Sequence, residues 1–180
     1  IMTVIGILLT KNYIVRWGKK KVTAIGYAGA GITLILMYFM DPSNLTLMIV
    51  LHALYGFFCF SFPIPMSMIP EAINYQEDRI GIRTDGLAYA ATSLSTKVGN
   101  AFGPAMALMI MGAFGYVANA QQSVEAMKGI NLATNLVFGI CYLLALIPLF
   151  LYPLNAEKNA QIQASLDAKR NARQAGMEKE

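Results

Sequence analysis

Four blocks of this chain, residues 22–40, 45–70, 86–117 and 129–154, are apolar almost throughout. A bilayer core is about 30 Å thick, so a spanning helix needs about 20 mostly apolar residues, and each block supplies them. A fifth block, residues 1–10, is too short to span; it reads as the end of a span and not as a signal peptide, because no basic leader precedes it. None of the blocks alternates apolar and polar residues as membrane-barrel strands do. With 56% of 180 residues hydrophobic and 13% charged, the expected fold is all-α, a polytopic membrane helix bundle of about four full spans plus part of a fifth. Residues 1–154 make up this bundle. Residues 155–180 are polar, with Ile162 and Leu166 spaced by four, and predict a short amphipathic or disordered cytoplasmic tail.

Orientation follows from the basic residues, which collect in cytoplasmic loops. Lys11, Arg16, Lys19, Lys20 and Lys21 precede the block 22–40, Arg79 and Arg83 lie between the blocks 45–70 and 86–117, and Lys158, Lys169, Arg170, Arg173 and Lys179 follow the last. These twelve of the fourteen basic residues fall on one side, whereas the opposite side holds "DPSN" at 41–44 and the loop 118–128, with Lys128 alone. The expectation is a multi-pass protein of the cell (inner) membrane with its carboxy-terminus in the cytoplasm. The net charge of +4 then needs no nucleic-acid partner, since a basic surface facing anionic lipids accounts for it.

The remaining basic residue is Lys97, within "LSTKVGNAFGP" in a stretch otherwise uncharged from Gly86 to Val124. A helix starting near Asp85 carries Lys97 roughly 18 Å along its axis, near mid-membrane. Two readings are open. The lysine stem can snorkel to the headgroups if the helix enters lipid late, or the ammonium lines a water-filled path or pairs with an opposite charge. Tyr89, Ser93, Thr96 and Asn100 recur at three- and four-residue spacing on the face of Lys97 and favour the second reading, although each hydroxyl can also bond back to its own helix. No block contains Asp or Glu. The counter-ion is therefore expected on residues outside this sequence.

Other features carry less chemistry. Cys59 and Cys141 lack metal or disulfide spacing and read as small apolar fillers, and His52 reads as a packing residue. No phosphate loop, metal cluster or nucleophile with a nearby base occurs, so enzyme activity has no foothold and no cofactor is expected. Gly26, Gly29 and Gly31, and separately Gly99 and Gly103, suit close helix approach. Pro63, Pro65 and Pro70 predict a kinked or unwound end to their span. Phe57, Phe58, Phe60 and Phe62 beside them read as packing or lipid-facing residues. "RWGKKK" at 16–21 is a topology determinant or a gating contact, with Trp17 as an interfacial anchor. In the loop after Pro70, Glu71, Glu77, Asp78, Arg79, Arg83 and Asp85 mix signs, as either a solvated surface or a gate whose ion pairs make and break.

The stretch "PEAINYQEDRIGIRTDGLAYAATSLSTKVGNAFG" resembles the signature region of the glycoside–pentoside–hexuronide cation symporters, the group that contains melibiose permease, within the major facilitator superfamily. There an acidic, tyrosine-containing loop leads through a Gly-x-Arg-x-acid element to a helix with a membrane lysine. "RWGKKK", "GYVANAQQSVEAMKGIN" and "YPLNAEKNAQIQASLDAKR" are similar to further loops and the tail of the family, so the resemblance covers essentially the whole chain. It implies spans eight to twelve of a twelve-helix transporter, an incomplete carboxy-terminal half of a major facilitator fold.

What the resemblance implies for function is symport of a sugar or glycoside with a cation, sodium or proton, by alternating access. The partners would be the solute, the lipid bilayer and a missing amino-terminal half whose carboxylates hold the cation. Lys97, Ser93, Thr96, Asn100 and Tyr89 would line the coupling and substrate cavity. Phe62 would join them, because it stands where the family has a sugar-stacking tryptophan. Glu77, Arg79, Arg83 and Asp85 would form the inner gate. Asn74 departs from the family by replacing an aspartate, which weakens the carry-over of charge from this loop to cation choice. The rival readings are a major facilitator-type carrier of another solute, such as a drug, an organic acid or a lysolipid, and a non-transporting membrane scaffold or sensor.

Overall fold

The structure is a computed structural model and describes residues 1–177; Lys179 and the end of the expected tail lie outside them. Eight helices run in chain order: α1 Met2–Phe39, α2 Leu45–Phe58, α3 Ile64–Ile80, α4 Asp85–Ala113, α5 Val124–Asn131, α6 Phe138–Leu144, α7 Leu146–Leu151 and α8 Ala156–Met177. Among the described residues no strand occurs, and the chain is the all-α bundle that its apolar blocks predict.

The first helix is a hairpin. A Cβ on Gly6 would lie 2.7 Å from the Phe57 carbonyl oxygen, and one on Gly26 would overlap the Ser61 side chain, so both glycines abut the same short turn. In a straight helix two residues twenty apart stand about 30 Å from each other. The chain therefore doubles back at Gly18, where φ is 79° and ψ is 156°, a region essentially reserved for glycine. The basic stretch expected as a loop is helical on both sides of this single residue. Trp17 stacks on Tyr13 at 5.5 Å just before it.

The prolines interrupt the next span as expected. The helix α2 ends in a tight 3₁₀ turn at Cys59–Ser61, and α3 begins only after Phe62 and Pro63. Proline donates no N–H to the helix ladder, so carbonyls of the preceding turn need other donors. Ser61 Oγ supplies one, bonding the Phe58 oxygen at 3.0 Å. Phe60, Val22, Ile64 and Met68 close a buried cluster around this break, with Tyr13, Ile14, Phe57 and Phe58 packed on it. A second cluster, Leu34, Met37 and Leu51, joins the far end of α1 to α2.

Small residues set the closest crossings. A Cβ on Gly31 would sit 2.9 Å from the Gly139 carbonyl oxygen, and one on Gly139 would sit 3.0 Å from that of Gly31. Here α1 and α6 touch backbone to backbone. The close approach expected of Gly26, Gly29 and Gly31 is present, whereas Gly99 and Gly103 meet nothing within 4 Å among the described residues. The last span begins at Val124, five residues before the expected Gly129, because Ser123 accepts a hydrogen bond from the Ala126 N–H and caps α5. A π-helical turn at Leu132–Val137 interrupts it. Asn131, just before that turn, donates to the Tyr38 oxygen at 3.1 Å and accepts from Asn135 at 2.7 Å.

By length and composition, Met2–Phe39, Leu45–Ile80 and Val124–Leu151 are apolar enough to cross a membrane. The helix expected over 86–117 is α4, which ends sooner, at Ala113, before the left-handed Gly115. It is about 44 Å long at 1.5 Å per residue, but its polar face lowers its hydropathy, and it buries no residue in this chain.

The tail is an ordered helix. Leu154, Ile162 and Leu166 are buried against Tyr75 and Tyr152, which docks α8 on the end of α3. The Gly18 reversal, the α3–α4 loop and α8 thus gather at one end of the bundle, the basic end. The 41–44 turn and the 114–123 loop are at the other.

Candidate functional site

Five of the six residues expected in the cavity form one stripe. On a 3.6-residue helix, Tyr89, Ser93, Thr96, Lys97 and Asn100 of α4 fall within about 100° of arc, and all five are exposed. Thr96 Oγ1 bonds back to the Thr92 oxygen at 2.9 Å. Lys97 has no carboxylate within ion-pair distance among the described residues. Beside the stripe, a groove of about 500 Å³ separates α4 from α3; Thr96 lines it with Thr92, Ser95, Pro65 and Ile69, while Tyr89, Ser93, Lys97 and Asn100 do not. Phe62 stands at the proline break, 72% exposed, and does not line this groove. The chain by itself therefore presents these residues on an open surface and does not enclose a cavity with them.

The loop residues converge more closely. Arg83 donates through Nη1 to Glu77 Oε2 at 2.9 Å and through Nη2 to Asp85 Oδ1 at 2.9 Å, with Asn74 Oδ1 at 3.3 Å. Hydrogen bonds to Asp85 first, and to Glu77 next, raise the guanidinium pKa above its ordinary value. The departure at Asn74 is thus accommodated as a neutral acceptor. Local folding explains the geometry: α3 ends at Gly81 (φ 73°), whose N–H bonds the Glu77 oxygen at 2.8 Å, and the chain then turns so that Arg83 reaches back by one helical turn. Asp85 opens α4, where the helix dipole favours an acid. Arg79 stands apart from this set. It donates to the Tyr75 hydroxyl at 3.1 Å and lies 5.5 Å over that ring.

Several partners at the basic end carry no local sequence signal. Lys19 pairs with Glu71 at 2.6 Å and donates to the Ser67 oxygen at 3.0 Å, and the Tyr152 hydroxyl reaches the same carboxylate at 3.2 Å. Lys20 caps the end of α7 by donating to the Phe150 and Tyr152 oxygens. Asp78 accepts from Lys169 at 2.6 Å and from Ser165 at 2.8 Å. Those two bonds, Lys169 first, hold its carboxyl below the usual range. Arg170 joins Glu77 at 3.2 Å. Apart from the Ile162 and Leu166 spacing, the only clue to these pairings is the excess of basic residues on both flanks of an acidic loop.

Chemically, the end of the bundle is a set of water-accessible ion pairs linking three segments. Such pairs are worth little individually, which suits contacts that exchange partners more than contacts that hold a fold. Among the described residues no group of His, Cys, Asp and Glu is placed to hold a metal, and Cys59 and Cys141 are free.

Comparison with known proteins fits this arrangement. A family model described as MFS/sugar transport protein matches residues 1–156. An uncharacterized symporter of Bacillus subtilis (strain 168), YnaJ, is 32% identical over 83% of this chain and 33% of its own length. The glucuronide carrier protein homolog of Escherichia coli (strain K12) is 27% identical over 96% of this chain and 38% of its own. A putative sulfoquinovose importer of the same organism is 27% identical over 97% and 38%. The chain thus spans about a third of the length of the curated relatives it matches.

Proposed function

The chain belongs to the MFS/sugar transport protein family, whose members are membrane transporters and not enzymes, and we propose on that premise that it forms the carboxy-terminal part of a cation-coupled sugar or glycoside symporter. The observation that carries the reading is Lys97. An ammonium on a 29-residue helix, flanked on one face by Tyr89, Ser93, Thr96 and Asn100 and without a carboxylate partner among the described residues, is costly in a bilayer unless water or an acid meets it. Two-part transporters place their solute site between halves, near the midplane. The open polar stripe of α4 is the surface such a partner half would cover, bringing its carboxylates to Lys97.

Lys97 then holds a facing carboxylate in its charged form, ready for sodium or a proton, while the stripe hydroxyls and amide and the Phe62 ring meet the solute. Cation and solute each favour the state in which the halves close on them, and that shared preference is the coupling. The Arg83–Glu77–Asp85 set closes the basic end in one state and opens in the other. The membrane is the cell (inner) membrane, and the basic end, with the carboxy-terminus, faces the cytoplasm. The names of the relatives favour a sugar or sugar acid over drugs or lysolipids, and the transporter family counts against a scaffold.

Concentrative uptake by the full-length protein tests this. Lys97→Met removes the charge and raises the pKa of the facing carboxylate; a tenfold weaker acid there corresponds to about 1.4 kcal/mol between its two protonation states. Uptake collapses, and the pH dependence of any residual activity moves upward. Lys97→Arg keeps the charge in a wider planar group and rescues in part. Normal accumulation by Lys97→Met removes the coupling role, and lack of competition by any sugar or glycoside redirects the reading to another solute.

A further inference from the structure

We propose that α8 is a strap that steadies the hinge between α3 and α4 through a carboxylate shared with Arg83. Glu77 Oε2 accepts from Arg83 of the loop at 2.9 Å and from Arg170 of α8 at 3.2 Å. The Glu77 side chain is 18% exposed, against 43% for Arg83 and 49% for Arg170, so one half-buried carboxylate joins two water-facing guanidiniums at the same oxygen. The backbone oxygen of the same residue receives the Gly81 N–H that ends α3. Whatever holds Glu77 therefore also holds the last turn before the hinge.

The neighbouring residue anchors the strap itself. Asp78 binds Ser165 and Lys169, one turn apart on α8, and its depressed pKa reflects those two bonds. Beneath them Leu154, Ile162 and Leu166 bury their side chains on Tyr75 and Tyr152, and the Lys158 ammonium lies 5.4 Å over the Tyr75 ring. The apolar contact seats α8; the charged and hydroxyl contacts set its register so that Arg170 reaches Glu77. Arg79 is kept away from this carboxylate by Tyr75, which leaves Glu77 to Arg83 and Arg170. A tail that lay on the surface for solubility alone would need none of this shared bonding.

The strap rests on the reading of the 77–85 segment as a moving part, but its test needs no solute. Hydrogen exchange is followed by mass spectrometry in the complete transporter, for Lys169→Asp, Asp78→Lys and the double swap, with Arg170→Ala as a variant that leaves Asp78 untouched. If α8 is a strap, each single change speeds exchange not only in 156–172 but also in 76–85, by roughly fivefold for a coupled network, and the double swap restores protection in both. Faster exchange confined to 156–172, with 76–85 as in the unaltered protein for every variant, overturns the proposal. Transport that fails in Lys97→Met while exchange follows this pattern, or the converse, separates the two inferences.

Discussion

The crossing of α1 and α6 fixes how far a single methyl group can be tolerated. In Gly31→Ala the new Cβ lies 2.9 Å from the Gly139 oxygen and 3.0 Å from Leu143 Cδ2. The leucine can rotate away, but the carbonyl belongs to a helix, so the two axes must part by several tenths of an ångström. Loss of contact along the seam, which includes Ile35 and Leu143, costs about 1–3 kcal/mol, as overpacking of a well-packed core does. For a unit of 150–250 residues each kcal/mol moves the thermal midpoint by roughly 2–4 °C. Gly139→Ala meets Ile35 Cγ1 at 2.8 Å and the Gly31 oxygen at 3.0 Å, so it opens the same seam. The double variant therefore loses less than the sum of the singles, because the first substitution has already parted the helices. Thermal unfolding of the purified full-length protein in detergent measures all three. Unchanged midpoints, or full additivity, would refute the backbone contact.

Arg83→Glu gathers three acids, its own with Glu77 and Asp85, and should abolish uptake, whereas Arg79→Gln, which loses only the Tyr75 contact, should leave at least half; equal losses in uptake assays would reduce the loop to a charged surface. Thr23 is fully buried and its hydroxyl has no partner among the described residues, so Thr23→Val should be neutral or stabilising by up to about 1 kcal/mol, and a lowered thermal midpoint would show that the hydroxyl is bonded. The lowered pKa of Asp78 means that its bonds to α8 contribute above the ordinary carboxylate value and are lost as pH falls through the depressed one. Protease protection of α8 should thus be constant from pH 8 to about 5 and fall only in stronger acid; loss near pH 6.5 would assign the anchoring to another group.

The spans were legible because bilayer thickness converts directly into a run length, and that rule needs no knowledge of neighbours. The break at Pro63 and Pro65 was legible from the chemistry of one residue type, whereas the reversal at Gly18 was not: nothing marked that glycine apart from the packing glycines, and the basic stretch around it read only as a topology determinant or a gating contact. The sequence placed the start of the last span at Gly129 because Lys128 and Glu125 are charged, and the Ser123 cap outweighed that signal. The tail could not be read as a docked helix. Its docking depends on Asp78 meeting Lys169, ninety-one residues on, and periodicity carries no information about which face meets which. Lys97 marks the opposite limit: its cost in a membrane is plain from one residue, yet no acid pairs with it among the described residues.

The reversal at Gly18 also bears on how the protein is made. A turn of one residue leaves no linker between the arms of α1, so the depth at which one arm settles in the bilayer sets that of the other, with Lys19, Lys20 and Lys21 held at the point of the hairpin. Substituting Gly18 with a β-branched residue forbids the positive φ. It would unfold a turn of helix to make a loop, and the earliest visible consequence would be in biogenesis, as ribosome-bound chains whose second arm fails to integrate.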